Sequence, residues 1–276
     1  MVGKNTTRRD ALKLGGLALG AMVLPLSAGP ALAKSPNARF SLDFATAADA
    51  GDNTATAAGW VVDRRAPEAW TVDAGRLCID MDESAETSGF YSYQGKKYLD
   101  ADGAYWNAGT GSRLSYRFYI DPEWETDGVG QETGVWTTLG NAQGAISAYP
   151  ILEYQDSDAN TETGEAGFRV YVYESDEDGN FLTGKWVYVG LPKKLGIDAE
   201  AGGWVTVEAQ LQQTSDGAAL KWRVNNKLIA DERGYNVFAP STQFLEFILN
   251  SGNYGVEQTY YYDDFELTEP GAARNR

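Results

Sequence analysis

From about residue 40 onward, the chain is a succession of short runs of β-branched and aromatic residues separated by Gly, Asp and Asn turns. Helix signals are scarce in this part of the sequence. Many short strands between tight turns are typical of an all-β sandwich or barrel. We predict strands at 41–44, 70–72, 76–81, 89–93, 113–120, 134–139, 146–154, 167–174, 185–189, 204–211, 220–224, 227–230, 244–249 and 259–268.

The last predicted strand, 259–268, mixes acidic residues with aromatic ones. Period-two alternation places Asp263 on the same face as Phe265 and Leu267, and Asp264 on the opposite face. If Phe265 and Leu267 point into a core, the Asp263 carboxylate lies beside them. Burying that carboxylate is costly unless a cation, an arginine or several hydrogen-bond donors accompany it.

Three stretches carry a resemblance to a known superfamily: Leu42-Asp43-Phe44, the strand–Gly turn–strand segment at 70–79, and Asp263-Asp264-Phe265. Together they resemble the concanavalin A-like lectin/glucanase proteins and related carbohydrate-binding sandwiches, over most of residues 40–268. The resemblance implies an all-β fold: one concanavalin A-like jelly-roll sandwich of two antiparallel sheets, at 34–270, with a ligand on its concave sheet.

The resemblance also implies that the first and last strands lie side by side, where a structural calcium ion is common in the superfamily. Its ligands here would be Asp43, Asp263 and Asp264. The residues leave an alternative open, in which Asp263 pairs with an arginine or with backbone donors and no metal is bound. Any metal must be held by oxygen, which favours calcium, because the chain has no His and one Cys.

Residues 1–33 have the layout of a bacterial twin-arginine signal peptide. Arg8-Arg9 precedes an apolar run of about 13 residues that is too short to span a membrane. Ala31-Leu32-Ala33 follows as a small-x-small cleavage site. We therefore expect an exported protein, periplasmic or extracellular, that engages the twin-arginine export machinery and has no stable membrane insertion. The tail, 271–276, is expected to be disordered.

The charge and the missing residue types exclude several functions. The whole chain carries −16, and residues 1–33 carry four cations and one Asp, so −19 remains after their removal. This charge argues against nucleic acid and anionic membranes. The absence of His excludes Ser-His-Asp triads and His-ligated zinc. Cys78, the single Cys, is expected to be a buried inert thiol, and nothing predicts an organic cofactor.

The catalytic motifs of the resembling enzymes are not complete in this chain. The β-glucanases of the superfamily carry Glu-x-Asp-x-Glu or Glu-x-Asp-x-x-Glu on a strand. The nearest stretch here, 174–178, lacks the final Glu and enters an Asp-Gly turn. The Gln-x-His strand of the alginate-lyase branch is absent, since there is no His. Other lyases of similar architecture work with Tyr and Arg, and this chain has both.

Alternation provides a set of residues that could line one concave face. In each case the side chain falls opposite the apolar residues of its own strand. The catalytic candidates are Arg117, Arg169, Tyr171, Tyr173 and Glu246. The ligand-binding candidates are Glu153 and three tryptophans, since flat rings stack on sugars. These tryptophans are Trp136 and Trp186, at the edge of the groove, and Trp124, which we expect to be exposed in a loop.

Two functional hypotheses follow, and a third is weaker. The first is a carbohydrate-binding protein that takes a polysaccharide or glycan. The second is a polysaccharide-cleaving enzyme, a lyase with Arg and Tyr chemistry rather than a glycoside hydrolase. The third is a structural envelope protein that binds no sugar. Because no complete catalytic motif is present, we favour binding.

Replacing Arg8-Arg9 with Lys-Lys is expected to leave the precursor in the cytoplasm, because the arginine pair is read as an address rather than as a charge. Fractionation of producing cells with an antibody against the folded domain measures this. Normal delivery of the double variant to the periplasm would contradict the export hypothesis.

Overall fold

Two eight-stranded antiparallel sheets pack face to face in the computed structural model of the chain. The structure describes residues 35, 37–51, 59–84, 93–100, 102–175, 181–231, 238–252 and 257–270. For residues 173–175, 181, 182 and 231 it describes the backbone. The predicted jelly-roll β-sandwich is therefore confirmed.

Strands are numbered in chain order. Sheet A runs β14 (Lys227–Asp231), β13 (Ala218–Val224), β12 (Gly203–Gln213), β6 (Arg113–Ile120), β16 (Thr259–Thr268), β4 (Arg76–Asp80), β3 (Ala69–Asp73), with β1 (Ala38–Leu42) also paired to β16. Sheet B runs β11 (Phe181–Gly190), β10 (Gly167–Ser175), β9 (Ile151–Gln155), β7 (Glu132–Gly140), β15 (Gln243–Ser251), β5 (Gln94–Tyr98), β2 (Trp60–Asp63), with β8 (Ile146–Ala148) also paired to β7. The described part of the chain also holds a one-turn helix, Ala47–Ala50, and short 3₁₀ turns at Pro122–Glu125 and Lys193–Leu195.

Two strands of sheet B were not predicted. β5 reads Gln-Gly-Lys-Lys-Tyr, which is poor in β-branched residues, and β2, Trp-Val-Val-Asp, is only four residues long. The strand predicted at 89–93 falls mostly outside the described residues. The strand predicted at 146–154 is two strands, β8 and β9. By contrast, 113–120 and 259–268 have the predicted bounds.

Aromatic residues join the two sheets across the core. Phe247 of sheet B stacks on Phe265 of sheet A, with ring centroids 4.7 Å apart. Trp60 of sheet B also lies edge-on to Phe265, at 6.5 Å, and within sheet A Tyr116 stacks on Phe265 at 5.3 Å. All four are buried. Such contacts combine large apolar burial with favourable ring geometry, so they hold sheet B against sheet A.

The alternation predicted for β16 is broken by a β-bulge. The register against β6 shifts between Asp263 and Glu266, and Asp264 takes a left-handed backbone conformation at φ 52°. Phe265 therefore points into the core while both aspartates reach the same arginine. Arg117 donates from Nη2 to Asp263 Oδ2 at 2.6 Å, and its Nε lies 2.8 Å from Asp264 Oδ2. The expectation that Asp263 shares a face with Phe265 is wrong for this reason.

In the structure, Asp263 pairs with an arginine. Arg117 supplies the positive charge between the two carboxylates, and Asp263 Oδ1 accepts a hydrogen bond from the Asp264 backbone amide. Asp43 uses Oδ1 to accept from the amide of Ala45. The calcium site at Asp43, Asp263 and Asp264 stays a prediction. Among the described residues, no group of three or more His, Cys, Asp or Glu side chains is arranged to hold a metal.

Within the same residues, the helices are all too short and too polar to cross a bilayer. Cys78 is buried, as expected, and burial followed by the nearby Asp80 raises the pKa of its thiol to about 12. A thiol with this pKa stays protonated and unreactive at neutral pH.

Replacing Arg117 with Ala is expected to lower the free energy of unfolding by about 3–5 kcal/mol, because two buried carboxylates lose their partner. Arg113→Ala is the matched control on the same strand. Its side chain is 42% exposed and pairs with Glu208, so its loss should cost about 1 kcal/mol at most. Urea unfolding measures both variants. Equal costs for the two would contradict the role given to Arg117.

Candidate functional site

The outer face of sheet B carries one continuous row of side chains that crosses six strands. The pairing registers join these residues in the order Trp186, Tyr171, Ile151, Trp136, Ile248 and Lys97. Adjacent strands lie about 4.8 Å apart, so the row spans about 24 Å. A surface of this length suits an extended ligand that lies across the strands.

A groove of about 540 Å³ lies over this row. Its charged lining residues are Asp63, Arg64, Lys97 and Glu246. Its aromatic lining residues are Tyr93, Trp136, Tyr149, Tyr171 and Trp186, and its aliphatic ones are Ile146, Ile151 and Ile248. A smaller polar pocket of about 160 Å³ adjoins it, and Trp186 lines both. A mixed aromatic and polar lining is the composition expected of a small-molecule or sugar site.

Arg169 is the centre of an ionic cluster at one side of the groove. It donates from Nε and Nη2 to Glu153 Oε2, at 3.0 and 2.7 Å. Its Nη2 also lies 2.9 Å from Glu132 Oε1, and the Tyr93 hydroxyl donates to the same Glu132 oxygen. The Arg169 side chain is only 19% exposed, so these contacts belong to the fold and also fix the position of Arg169 beside the groove.

The absence of a side chain at Gly134 leaves room for the Glu153 side chain. The two residues are cross-strand partners between β7 and β9. A Cβ at position 134 would lie 2.4 Å from Glu153 Cγ and 2.5 Å from the Leu152 carbonyl oxygen. Any larger residue at 134 would therefore displace the carboxylate that binds Arg169.

Burial changes the protonation of this cluster. Burial, and then the neighbouring Glu132, raise the pKa of Glu153 from 4.5 to about 8, although Arg169 opposes the shift. Burial followed by Glu153 raises the pKa of the Tyr93 phenol well above its ordinary value. Glu153 therefore keeps a proton near neutral pH, beside an arginine that it shares with Glu132.

Two more ion pairs line the groove. Lys97 Nζ lies 3.5 Å from Glu246 Oε2, and Thr138 donates to Glu246 Oε1 at 3.3 Å. Arg64 pairs with Asp63, its neighbour in the chain. Burial raises the pKa of Glu246, and Lys97 opposes that shift. Each cation thus has its carboxylate partner within the groove.

The two tryptophans of the groove differ in access. Trp136 is 5% exposed, because the Arg64 guanidinium lies 4.3 Å from its ring centroid and Tyr93 packs on its edge. Its Nε1 donates to Glu153 Oε1 at 3.3 Å. Trp186 is 36% exposed, with Arg169 at 3.9 Å from its ring centroid. Trp186 is therefore the ring that a ligand can reach.

The structure brings together most of the residues predicted for one face, but not all of them. Arg169, Tyr171, Glu246, Glu153, Trp136 and Trp186 lie on the outer face of sheet B. The backbone of Tyr173 lies in β10 opposite Gly184, and its side chain falls outside the described part.

Two placements are corrected. Arg117 belongs to sheet A, where it forms ion pairs with Asp263 and Asp264. The expectation that it shares the groove with Arg169 and Glu246 is therefore wrong. Trp124, which we expected to be exposed in a loop, is buried with 5% exposure, because its 3₁₀ turn folds back onto the core. There its ring packs against Tyr154 and Tyr260 at 6.0 and 5.6 Å.

Sequence reasoning missed eight lining residues. Four of them belong to or flank β2 and β5, the two strands that were not predicted: Asp63, Arg64, Tyr93 and Lys97. The other four are Tyr149 and the isoleucines Ile146, Ile151 and Ile248. The doublet Lys96-Lys97 was the available signal. Such a doublet is ordinary in a solvated loop, yet Lys96 is fully buried near Trp70.

Comparison with known proteins identifies the fold. No family model matches the sequence, and no curated protein matches it. An alginate lyase, vAL-1, from Chlorella virus is similar in structure, with TM-score 0.51, 15% identity, and coverage of 85% of this chain and 100% of that one. An endo-1,3-beta-glucanase from Streptomyces sioyaensis has TM-score 0.51, 13% identity and coverage of 87% and 100%. The non-specific endo-beta-1,3(4)-glucanase SCLam, of family GH16, has TM-score 0.50, 13% identity and coverage of 86% and 93%.

These three neighbours share the jelly-roll sandwich, which is consistent with the concanavalin A-like architecture that the sequence resembles. At identities of 13–15% they establish the fold alone.

The Glu153 carboxyl group predicts a specific pH dependence of stability. It keeps its proton in the folded state up to about pH 8 but loses it near pH 4.5 when unfolded. Folding therefore takes up a proton between these values, and the free energy of unfolding falls as pH rises through them. Glu153→Gln should flatten this slope by at most about 1.4 kcal/mol per pH unit.

Urea unfolding across this pH window measures the effect, with Glu165→Gln, at an exposed position, as the control. A variant at Glu153 with the slope of the unmodified chain would show that the carboxyl group does not hold the proton.

Proposed function

We propose that this protein binds a polysaccharide or glycan in the groove of sheet B. The observation that carries the proposal is Trp186, an exposed indole at the end of a cross-strand row that also contains Tyr171 and Trp136. Sugars present C–H faces to flat rings and hydroxyl groups to charged side chains. The groove offers both within one row, and the row is longer than a single sugar.

The structural neighbours support this reading at the level of the fold. They are an alginate lyase and two glucanases, all of which act on polysaccharides. Fold likeness does not transfer an activity, so the proposal stands on the groove itself. The export signal proposed for residues 1–33 agrees with it, since polysaccharides are found outside the cytoplasm.

Cleavage of the glycan is the second candidate function. The phenol of Tyr149 lies in the groove with Arg64 and Lys97, a combination that suits β-elimination. However, burial followed by Glu246 raises the pKa of Tyr149, which keeps its phenol protonated at neutral pH. Such a group can donate a proton but is poorly suited to remove one. Binding without cleavage is therefore the function that the groove supports best.

Trp186→Ala is expected to weaken glycan binding by about tenfold or more, equivalent to about 1.4 kcal/mol, with little change in melting temperature. Its ring is 36% exposed, so its loss removes ligand contact rather than core packing. Trp204→Ala, on sheet A, is the matched control and should bind as the unmodified chain does.

A glycan array on the full chain identifies the probe, and calorimetry with that oligosaccharide measures both variants. Incubation of the bound glycan with the protein, followed by ultraviolet absorbance for unsaturated products, tests the lyase alternative. Equal affinities for the two variants would contradict the location of the site, and rising absorbance would favour cleavage.

A further inference from the structure

The groove contains cations, but each of those in the described part of the chain is already neutralised. Lys97 pairs with Glu246, Arg64 with Asp63, and Arg169 with both Glu132 and Glu153. An anionic ligand that took one of these cations would leave a largely buried carboxylate without its partner. Losses of that kind are among the most costly in proteins.

Glu246 lines the groove with a carboxylate that is already engaged. Its side chain is 3% exposed, Oε2 lies 3.5 Å from Lys97 Nζ, and Oε1 accepts from Thr138. A ligand carboxylate placed beside Glu246 would bring a second negative charge next to this one, and like charges at close range repel.

We propose that the groove takes an uncharged glycan and discriminates against polyuronates, because its cations already have carboxylate partners and Glu246 adds a negative charge to its lining. This inference rests on the proposed function and specifies its ligand class. The overall charge of the chain, −16 including the export signal, acts in the same direction, because it repels polyanions at long range.

The inference also bears on cleavage. Elimination from a polysaccharide needs a uronate carboxyl group beside the carbon that loses its proton, and a neutral glycan has none. If the ligand is neutral, the lyase candidate has no substrate in this groove.

Matched oligosaccharide pairs test the proposal. In each pair the two members share linkage and length and differ only at C6, which is a hydroxymethyl group in one and a carboxylate in the other. β-1,4-linked glucose with glucuronate, and β-1,4-linked mannose with mannuronate, are two such pairs. The neutral member should bind more tightly, and its affinity should stay constant between 0.1 M and 1 M salt, where the Debye length falls from about 10 Å to 3 Å.

Glu246→Gln provides the second measurement. The change leaves Lys97 without its carboxylate and should shift the preference toward the uronate by about tenfold, the scale of one charge-assisted hydrogen bond. Glu208→Gln is the matched control on sheet A, where Glu208 pairs with Arg113 and Arg223, and it should leave the preference unchanged. The salt comparison on the unmodified chain needs no variant and keeps the test valid if Glu246→Gln does not fold.

The outcomes separate the inference from the proposed function. Tighter, salt-sensitive binding of the uronate in the unmodified chain, lost in Trp186→Ala, would overturn the neutral-ligand inference and leave the groove as a glycan site. Binding of no member of any pair, or binding that Trp186→Ala does not weaken, would overturn the proposed function and this inference with it.

Discussion

A charge buried in a β-sandwich must be paired, and both sheets of this protein are arranged around that requirement. In sheet A, Arg117 lies between Asp263 and Asp264, and a bulge in β16 lets both carboxylates reach it. In sheet B, Arg169 lies between Glu132 and Glu153. The two clusters differ in consequence. The first is closed and ties β6 to β16, the strand that also pairs with β1. The second borders a groove and fixes the position of the rings around it.

The second cluster connects packing to recognition. Glu153 accepts hydrogen bonds from both Arg169 and Trp136, so one carboxyl group orients a cation and an indole at once. Arg169 in turn covers one side of the Trp186 ring. Preorganised side chains lose little freedom when a ligand binds, and this favours affinity without a large contact area. The same pairing explains why the cations of the groove are not available to an anionic ligand, since each already has a carboxylate partner.

Much of the fold and of the groove could be predicted from the sequence, and the wrong predictions have physical causes. Alternation correctly placed Arg169, Tyr171 and Glu246 on the face opposite their apolar neighbours. It placed Arg117 opposite its apolar neighbours too, but alternation does not say which sheet a strand joins. The bulge at Asp264 broke the period within β16, and only the left-handed backbone reveals it. Trp124 is buried because its turn folds back on Tyr154, a contact between residues distant in sequence. β5 is poor in the residue types by which strands are found, and β2 is only four residues long. With these two strands, three of the four charged lining residues of the groove were missed.

The central claim is that a neutral glycan lies on the Trp186 row while the charged side chains of the groove keep their own partners. A crystal structure of the protein with a neutral oligosaccharide selected on the array tests this most directly. The account predicts a sugar ring against Trp186, with the Lys97–Glu246 pair and the Arg169 pairs intact. A glycan bound on sheet A, or a ligand that displaces Glu246 from Lys97, would contradict it.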